Sequence, residues 1–311
     1  MSVSTRSFLR VDEEVADALA EQRPVVALES TLLTHGLPAD RADVVARALE
    51  DDVRLEGAVP ATLAILDHRF VVGLSVDDRA RLLEGSARKA SLRDLAVATV
   101  QGGLWSTTVA ATMVIAHQAG IRLFATGGIG GVHRHADRSF DESADLVALS
   151  RIPVAVVSAG IKVVLDIPRT MERLETLGVP VVGYRCQELP GFYYASSGVM
   201  LQAHTESPNE VAALVGAQLD GMGAGLLVVQ PPPRTLDPRI VDGLIEEAVR
   251  VADREGVRGG DVTPRLLDAL RVGSGGESVE VNVELVRANA RLAARVAVID
   301  RDICRMDPSS T

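Results

Sequence analysis

Of the 32 basic residues in this chain, only Lys89 and Lys162 are lysines. Arginine keeps its proton in a protein, whereas a desolvated lysine amine, or one beside another cation, can become neutral and attack a carbonyl-like carbon. Lys162 lies two residues after Gly160, behind the valine-rich run Val154-Ala-Val-Val-Ser158. That run reads as a buried strand, and parallel α/β sheets keep their chemistry at strand ends. Two readings stand side by side: Lys162 is a covalent nucleophile, or both lysines are remnants of an arginine-favouring codon preference.

Other reactive types fall in similar places. Glu29 ends the run Pro24-Val-Val-Ala-Leu28. In apolar surroundings its pKa rises and it serves as a general acid; facing solvent it is an ordinary strand-end carboxylate. Ser106-Thr-Thr-Val109 opens a helix, where unsatisfied amides and the dipole favour an anion and Lys89 adds charge; a threonine acting only as a cap is the plainer reading. Residues 126–131 hold two glycine pairs, without the spacing of a dinucleotide fingerprint or a Walker loop. Either these glycines let amides approach a ligand, or they make a tight turn between packed elements. Asp141, as a helix N-cap, and Asp145 are four residues apart and would share a helical face, meeting a hydrated hard cation or only solvent. His133 and His135 lack the spacing of a zinc pair.

Strand and helix patterns that alternate nearly throughout must position these groups, which predicts an α/β fold with a mainly parallel sheet. Residues 12–21 and 38–55 read as helices, with residues 24–28 a strand between them. Residues 62–66 and 70–74 read as an antiparallel pair turning at Asp67 and His68. Capping boxes at Ser75/Asp78 and Ser91/Asp94 open short helices, with Lys89 in the connection between them. An apolar helix over 109–119, a strand over 121–125, strands over 179–184 and 225–229, and helices over 169–177, 209–219, 238–255, 264–271 and 280–300 complete the pattern. We expect one domain over 1–311, with a flexible leader at 1–10 and a flexible tail at 301–311.

Composition narrows the function. Hydrophobic residues make up 47% and aromatics 3%, so the core is aliphatic, and the net charge of −10 offers no basic stripe to nucleic acid or an anionic membrane. Cys186 and Cys304 lack partners at metal-ligand spacing and fit reduced thiols. The N-terminus has no apolar signal core, and the most apolar region is interrupted by His117, Gln118 and Arg122. These features predict a soluble cytoplasmic protein. A neutralisable amine, a candidate acid, a carboxylate for a hard metal and an anion cradle, all at strand ends, outline an enzyme acting on a phosphorylated sugar.

Several motifs resemble the pseudouridine-5′-phosphate glycosidases, or indigoidine synthase A-like family. They are Val25-Val-Ala-Leu-Glu-Ser-Thr31 with His35-Gly36, Gly57-Ala-Val-Pro-Ala-Thr62, Thr107-Thr-Val109, Phe124-Ala-Thr-Gly-Gly-Ile-Gly-Gly-Val-His-Arg134, Phe140-Asp-Glu-Ser-Ala-Asp145 and Ser158-Ala-Gly-Ile-Lys162. The resemblance spans about residues 11–298. It implies a three-layer α/β/α sandwich with a mixed, mostly parallel sheet, a homotrimer, and reversible cleavage of pseudouridine 5′-phosphate to uracil and ribose 5-phosphate. It further implies Lys162 as the nucleophile on the opened ribose, Glu29 as the proton-transfer group, and manganese held by Asp141 and waters. Substrate contacts would come from Lys89, the Val109 backbone, Ser143, Ala144 and Asp145. Asn282 and Thr263 sit in family-like surroundings without an assigned role. Ser158, often cysteine in the family, and Leu104-Trp-Ser106 depart from the usual wording. Lys162 alone also suits a Schiff-base aldolase on another sugar phosphate, and a non-catalytic sugar-phosphate binding module is a third reading.

Overall fold

A computed structural model of the chain describes residues 8–257 and 262–306. Eleven strands form a mixed, mostly parallel sheet: β1 (Leu9–Val11), β2 (Val25–Leu28), β3 (Val59–Leu66), β4 (Arg69–Val72), β5 (Arg88–Ala90), β6 (Leu104–Thr107), β7 (Leu123–Ala125), β8 (Ala155–Ser158), β9 (Val181–Tyr184), β10 (Ala203–Thr205) and β11 (Leu226–Val229). Their order is β1-β4-β3-β2-β7-β8-β11-β9-β10, an open path, with β6 joining β3 and β5 joining β6. Every residue of β2, β7, β8 and β11 is buried. Because successive side chains on a strand point to opposite faces, uniform burial requires cover on both, which makes three layers.

Handedness explains which helix lies where. From β2 the chain crosses to β3 on one side through Ala39–Leu55, while β7 crosses to β8 in the other direction through Ala144–Arg151. Right-handed crossovers running in opposite directions put those helices on opposite faces. Ala39–Leu55 packs with the long helix Glu277–Met306, and Ala144–Arg151 packs with Val109–Ala119. The crossovers therefore diverge between β2 and β7, and ligands of open α/β sheets bind beyond such switch points.

β3 outlasts β2. Its first half pairs parallel with β2 as far as Leu28↔Thr62; beyond that β6 takes the place of β2, antiparallel, with Ala64↔Ser106. The exchange is sealed by buried hydroxyls: Ser30 Oγ accepts from the Thr107 amide at 2.9 Å, and Thr107 Oγ1 donates to the Leu63 carbonyl at 2.9 Å. β5 lies parallel to β6 with Lys89↔Ser106, so Lys89 is on a strand and not in the connection expected. The Asp67–His68 turn joins β3 and β4 as an antiparallel pair, both residues having positive φ.

Two further expectations are corrected. Leu9 and Arg10, placed in a flexible leader, form β1 with Val11 because β4 presents an edge to Leu9↔Phe70 and Arg10↔Val71. Residues 301–306 of the expected tail continue the helix Glu277–Met306. Residues 1–7 and 307–311 lie outside the described residues.

Candidate active site

Glu29, Thr126 and Lys162 follow the C-terminal ends of β2, β7 and β8, three adjacent parallel strands in register at Leu28↔Ala125 and Ala125↔Val157. Glu29 is buried at 6% exposure, and Thr126 donates its hydroxyl to Glu29 Oε1. Burial pushes the Glu29 carboxyl above the ordinary glutamate range and Asp145 pushes it the same way. Lys162, the Thr126 hydroxyl and Lys89 pull it back without cancelling the rise. Both lysines of the chain thus act electrostatically on one buried carboxyl.

Lys162 is half-buried and held by its backbone. The loops after β7 and β8 prolong the strand pairing: Ile129 N–H donates to the Gly160 carbonyl at 3.0 Å, and Lys162 N–H to the Ile129 carbonyl at 3.0 Å. Ser158 Oγ accepts from the Gly160 amide at 3.1 Å, so the serine closes the turn. Gly160 has φ +93°, and a Cβ there would lie 2.5 Å from the Pro190 carbonyl oxygen. No other residue type fits.

The glycine pairs serve packing first. A Cβ at Gly128 would lie 2.6 Å from the Phe192 ring, one at Gly130 would meet Ser143 Oγ and Asp145 Oδ2, and one at Gly131 would meet the Thr170 side chain. Of the two readings of this segment, the tight turn between packed elements describes the contacts. Phe192 itself is buried with φ +66°, a conformation that costs a non-glycine residue about 1–3 kcal/mol.

Asp145 braces the opposite wall. Its Oδ1 accepts from the Ala110 amide at 2.9 Å and its Oδ2 from the Gly130 amide at 2.7 Å. One carboxylate therefore ties the start of Val109–Ala119 to the glycine loop. The N-cap of Ala144–Arg151 is Ser143, which accepts from the Asp145 amide at 3.2 Å, and not Asp141 as expected. Asp141 precedes that helix, so the two aspartates share no helical face, and both Asp145 oxygens already hold amides. Two helix starts converge here, and the first-position amides of Val109 and Ala144 have no intrahelical acceptor. Asp141 Oδ2 stands 3.8 Å from His133 Nδ1, and burial lowers the His133 pKa with Lys89 adding to it and Asp141 opposing. Thr263 is half-buried at the start of the helix Val262–Gly273.

The long helix supplies groups that sequence reading left without a role. Asn289, 1% exposed, donates Nδ2–H to the Thr126 carbonyl at 2.8 Å and accepts at Oδ1 from Gln230 Nε2 at 2.8 Å. Asn282, one heptad earlier, is buried with Oδ1 unpaired, and that oxygen lies 3.3 Å from where a Gly127 Cβ would stand. Two amides seven residues apart on a helix face otherwise lined by Val281, Leu285 and Val286 were the available signal.

Comparison with known proteins agrees with this geometry. Residues 14–299 match the family described as indigoidine synthase A like protein. A pseudouridine-5′-phosphate glycosidase of Caldanaerobacter subterraneus subsp. tengcongensis is 46% identical over 297 residues, covering 94% of this chain and 96% of the relative. One of Salinispora tropica is 50% identical over 299 residues, covering 94% and 92%. Among solved structures, the prealnumycin C-glycosynthase AlnA in complex with ribulose 5-phosphate superposes with a TM-score of 0.89 at 38% identity, covering 96% of this chain and 99% of that one. An indigoidine synthase A-like protein of Thermotoga maritima gives a TM-score of 0.84 at 31% identity, covering 94% and 96%. With nearly its whole length matched, the chain belongs to the indigoidine synthase A-like family.

Proposed function

We propose that this chain is a pseudouridine-5′-phosphate glycosidase that reversibly cleaves the C–C glycosidic bond to give uracil and ribose 5-phosphate. The observation that carries this reading is the shared site of Lys162 and Glu29: a half-buried amine and a buried carboxyl with a raised pKa, at the ends of parallel strands separated only by β7. Relatives named for this reaction, and a structural neighbour that is a C-glycosynthase, support the same chemistry.

The route follows from the bond to be broken. Carbon C5 of uracil is no basic leaving atom, so protonating an exocyclic oxygen or nitrogen, as ordinary glycosidases do, gives little help. In the proposed route the Lys162 amine bonds to C1′ as the C1′–O4′ bond opens, and the proton that its nitrogen sheds goes to O4′. Glu29 then delivers a proton to C5 as the C1′–C5 bond breaks, leaving C1′ doubly bonded to nitrogen; water adds, and the amine leaves as the aldehyde forms. A carboxyl whose pKa burial raises suits that delivery. The Val109 and Ala144 amides, with Lys89, suit the phosphate. The unpaired Asn282 Oδ1 suits an imide N–H of the base, since a buried acceptor without a donor costs about 1–3 kcal/mol.

The reading includes a divalent metal, manganese by resemblance. Its expected ligand is the Asp141 carboxylate with waters, as a hard cation that stays largely hydrated would allow; among the described residues no group of three or more His, Cys, Asp or Glu is placed to hold an ion. When bound, such an ion would supply positive charge beside Asp141. The reading also includes a homotrimer and a cytoplasmic setting. Among the described residues no helix is long and apolar enough to cross a membrane.

Incubation with pseudouridine 5′-phosphate and manganese should release uracil, and Lys162→Ala should not. Absence of uracil from the unaltered protein rejects the reaction. Borohydride capture with another sugar phosphate but not with ribose 5-phosphate would favour the aldolase instead.

A further inference from the structure

The turn at residues 191–193 reaches both loops of the site from outside it. Tyr193 N–H donates to the Gly191 carbonyl at 2.8 Å across Phe192, whose φ is +66°, which is the strained, positive-φ form of the γ-turn. Glycine would occupy that position without strain, yet the chain places a phenylalanine there with its ring 3% exposed. The ring lies flush on the glycine loop: a Cβ at Gly128 would be 2.6 Å from it and one at Gly127 3.6 Å. Two residues earlier, the Pro190 carbonyl presses against Gly160. The Leu236 amide donates to the Tyr193 carbonyl at 2.8 Å and the Tyr193 hydroxyl bonds Ser278, which tie the turn to the segment before the helix Pro238–Glu255 and to the start of the helix Glu277–Met306.

The two contacted loops are those that carry the chemistry. Gly127 follows Thr126, the donor to Glu29, and Gly160 stands two residues before Lys162. The two loops are hydrogen-bonded to each other and bring no side-chain bulk to these contacts: the Phe192 ring covers Gly127 and Gly128, and the Pro190 carbonyl covers Gly160. We propose that Phe192 is a positioning residue: its ring, packed on Gly127 and Gly128, holds the loop that carries Thr126 to Glu29 and that pairs with the Lys162 loop, and so sets how Glu29 and Lys162 are aligned. It fixes the alignment of amine, acid and C1′ without touching the phosphate end of the substrate. Small errors in such alignment are costly, since a displacement of about 1 Å can cost on the order of 100-fold in rate.

This inference rests on the glycosidase reading, and the experiment separates the two. Phe192→Gly relieves the backbone strain while deleting the ring; Phe192→Leu keeps bulk at the same place. The expected result is a kcat reduced about 100-fold in Phe192→Gly and about 10-fold in Phe192→Leu, with KM for pseudouridine 5′-phosphate within about threefold of the parent in both. Borohydride capture of ribose 5-phosphate on Lys162, read by mass spectrometry, should slow in the same order. A folded Phe192→Gly with unchanged kcat and unchanged capture overturns the proposal, as does a rise in KM with kcat unaltered. If Phe192→Gly does not fold, the same criteria apply to Phe192→Leu. Failure of the parent protein to release uracil rejects the glycosidase reading alone, because the capture rates still judge Phe192.

Discussion

The Thr126 hydroxyl donates to Glu29 Oε1 across the C-terminal ends of β2 and β7. A donor favours the charged carboxylate, so this contact restrains a pKa that burial raises. Thr126→Val keeps the shape and removes the donor. The limb of the kcat/KM profile set by Glu29 should then move to higher pH, with activity at the optimum reduced about 10-fold. An unmoved limb would separate Thr126 from the proton-transfer step.

Replacing the acid itself should part activity from stability. Glu29→Gln keeps an acceptor for Thr126, and uracil release should fall by about 100-fold or more. A carboxyl whose folded pKa is raised gives its full stabilisation below the ordinary value of 4.5 and loses it as pH rises through the folded value. Glu29→Gln should therefore melt above the parent at pH 8, with the gap closing toward pH 4.5. A variant that loses ground to the parent as pH rises would contradict the raised pKa of the buried acid.

Much of this arrangement was legible from residue types, and what was not depended on distance in sequence. Valine-rich runs ending in Glu29 and near Lys162 announced strand ends, because uniform burial and short length leave few other states. Asp141 was misread as a cap since Asp and Ser both serve there, and only the backbone shows that Ser143 accepts the amide. Asp145 was readable as a carboxylate at a helix start, but not as a brace, since its partners Ala110 and Gly130 come from other elements. The replacement of β2 by β6 beside β3, which brings Lys89 toward Glu29, is a register event that local patterning does not encode.

Gly130→Ala tests the brace. The added methyl meets Ser143 Oγ and comes to 2.8 Å from Asp145 Oδ2, so the loop must shift and the Gly130 amide loses its acceptor. Overpacking of this kind costs about 1–3 kcal/mol. A lower melting temperature should accompany a raised KM, because the methyl displaces the Asp145 carboxylate that also holds the Ala110 amide at the helix start suited to the phosphate. A melting temperature and KM equal to the parent's would show that the loop has slack.

Asn289→Ala should act at a distance from any ligand. It strands the buried Thr126 carbonyl and the half-buried Gln230 side-chain amide, which pair through Asn289 in the contacts described above, at a cost of about 2 kcal/mol. Chemical denaturation should show a lower midpoint, and kcat should fall because Thr126 is no longer fixed beneath Glu29. Full activity with reduced stability would confine Asn289 to folding.

Lys162→Arg isolates the property that the nucleophile must have. Arginine preserves a positive charge near Glu29, so the electrostatic environment of the acid changes little, but its guanidinium does not lose a proton to become a nucleophile. The variant should fold and bind phosphorylated ligands, raising its melting temperature with ribose 5-phosphate as the parent does, yet release no uracil and leave no borohydride-stable adduct. If it turns over at more than about a hundredth of the parent rate, covalent attack by the amine is not the route, and the role of Lys162 reduces to that of its charge.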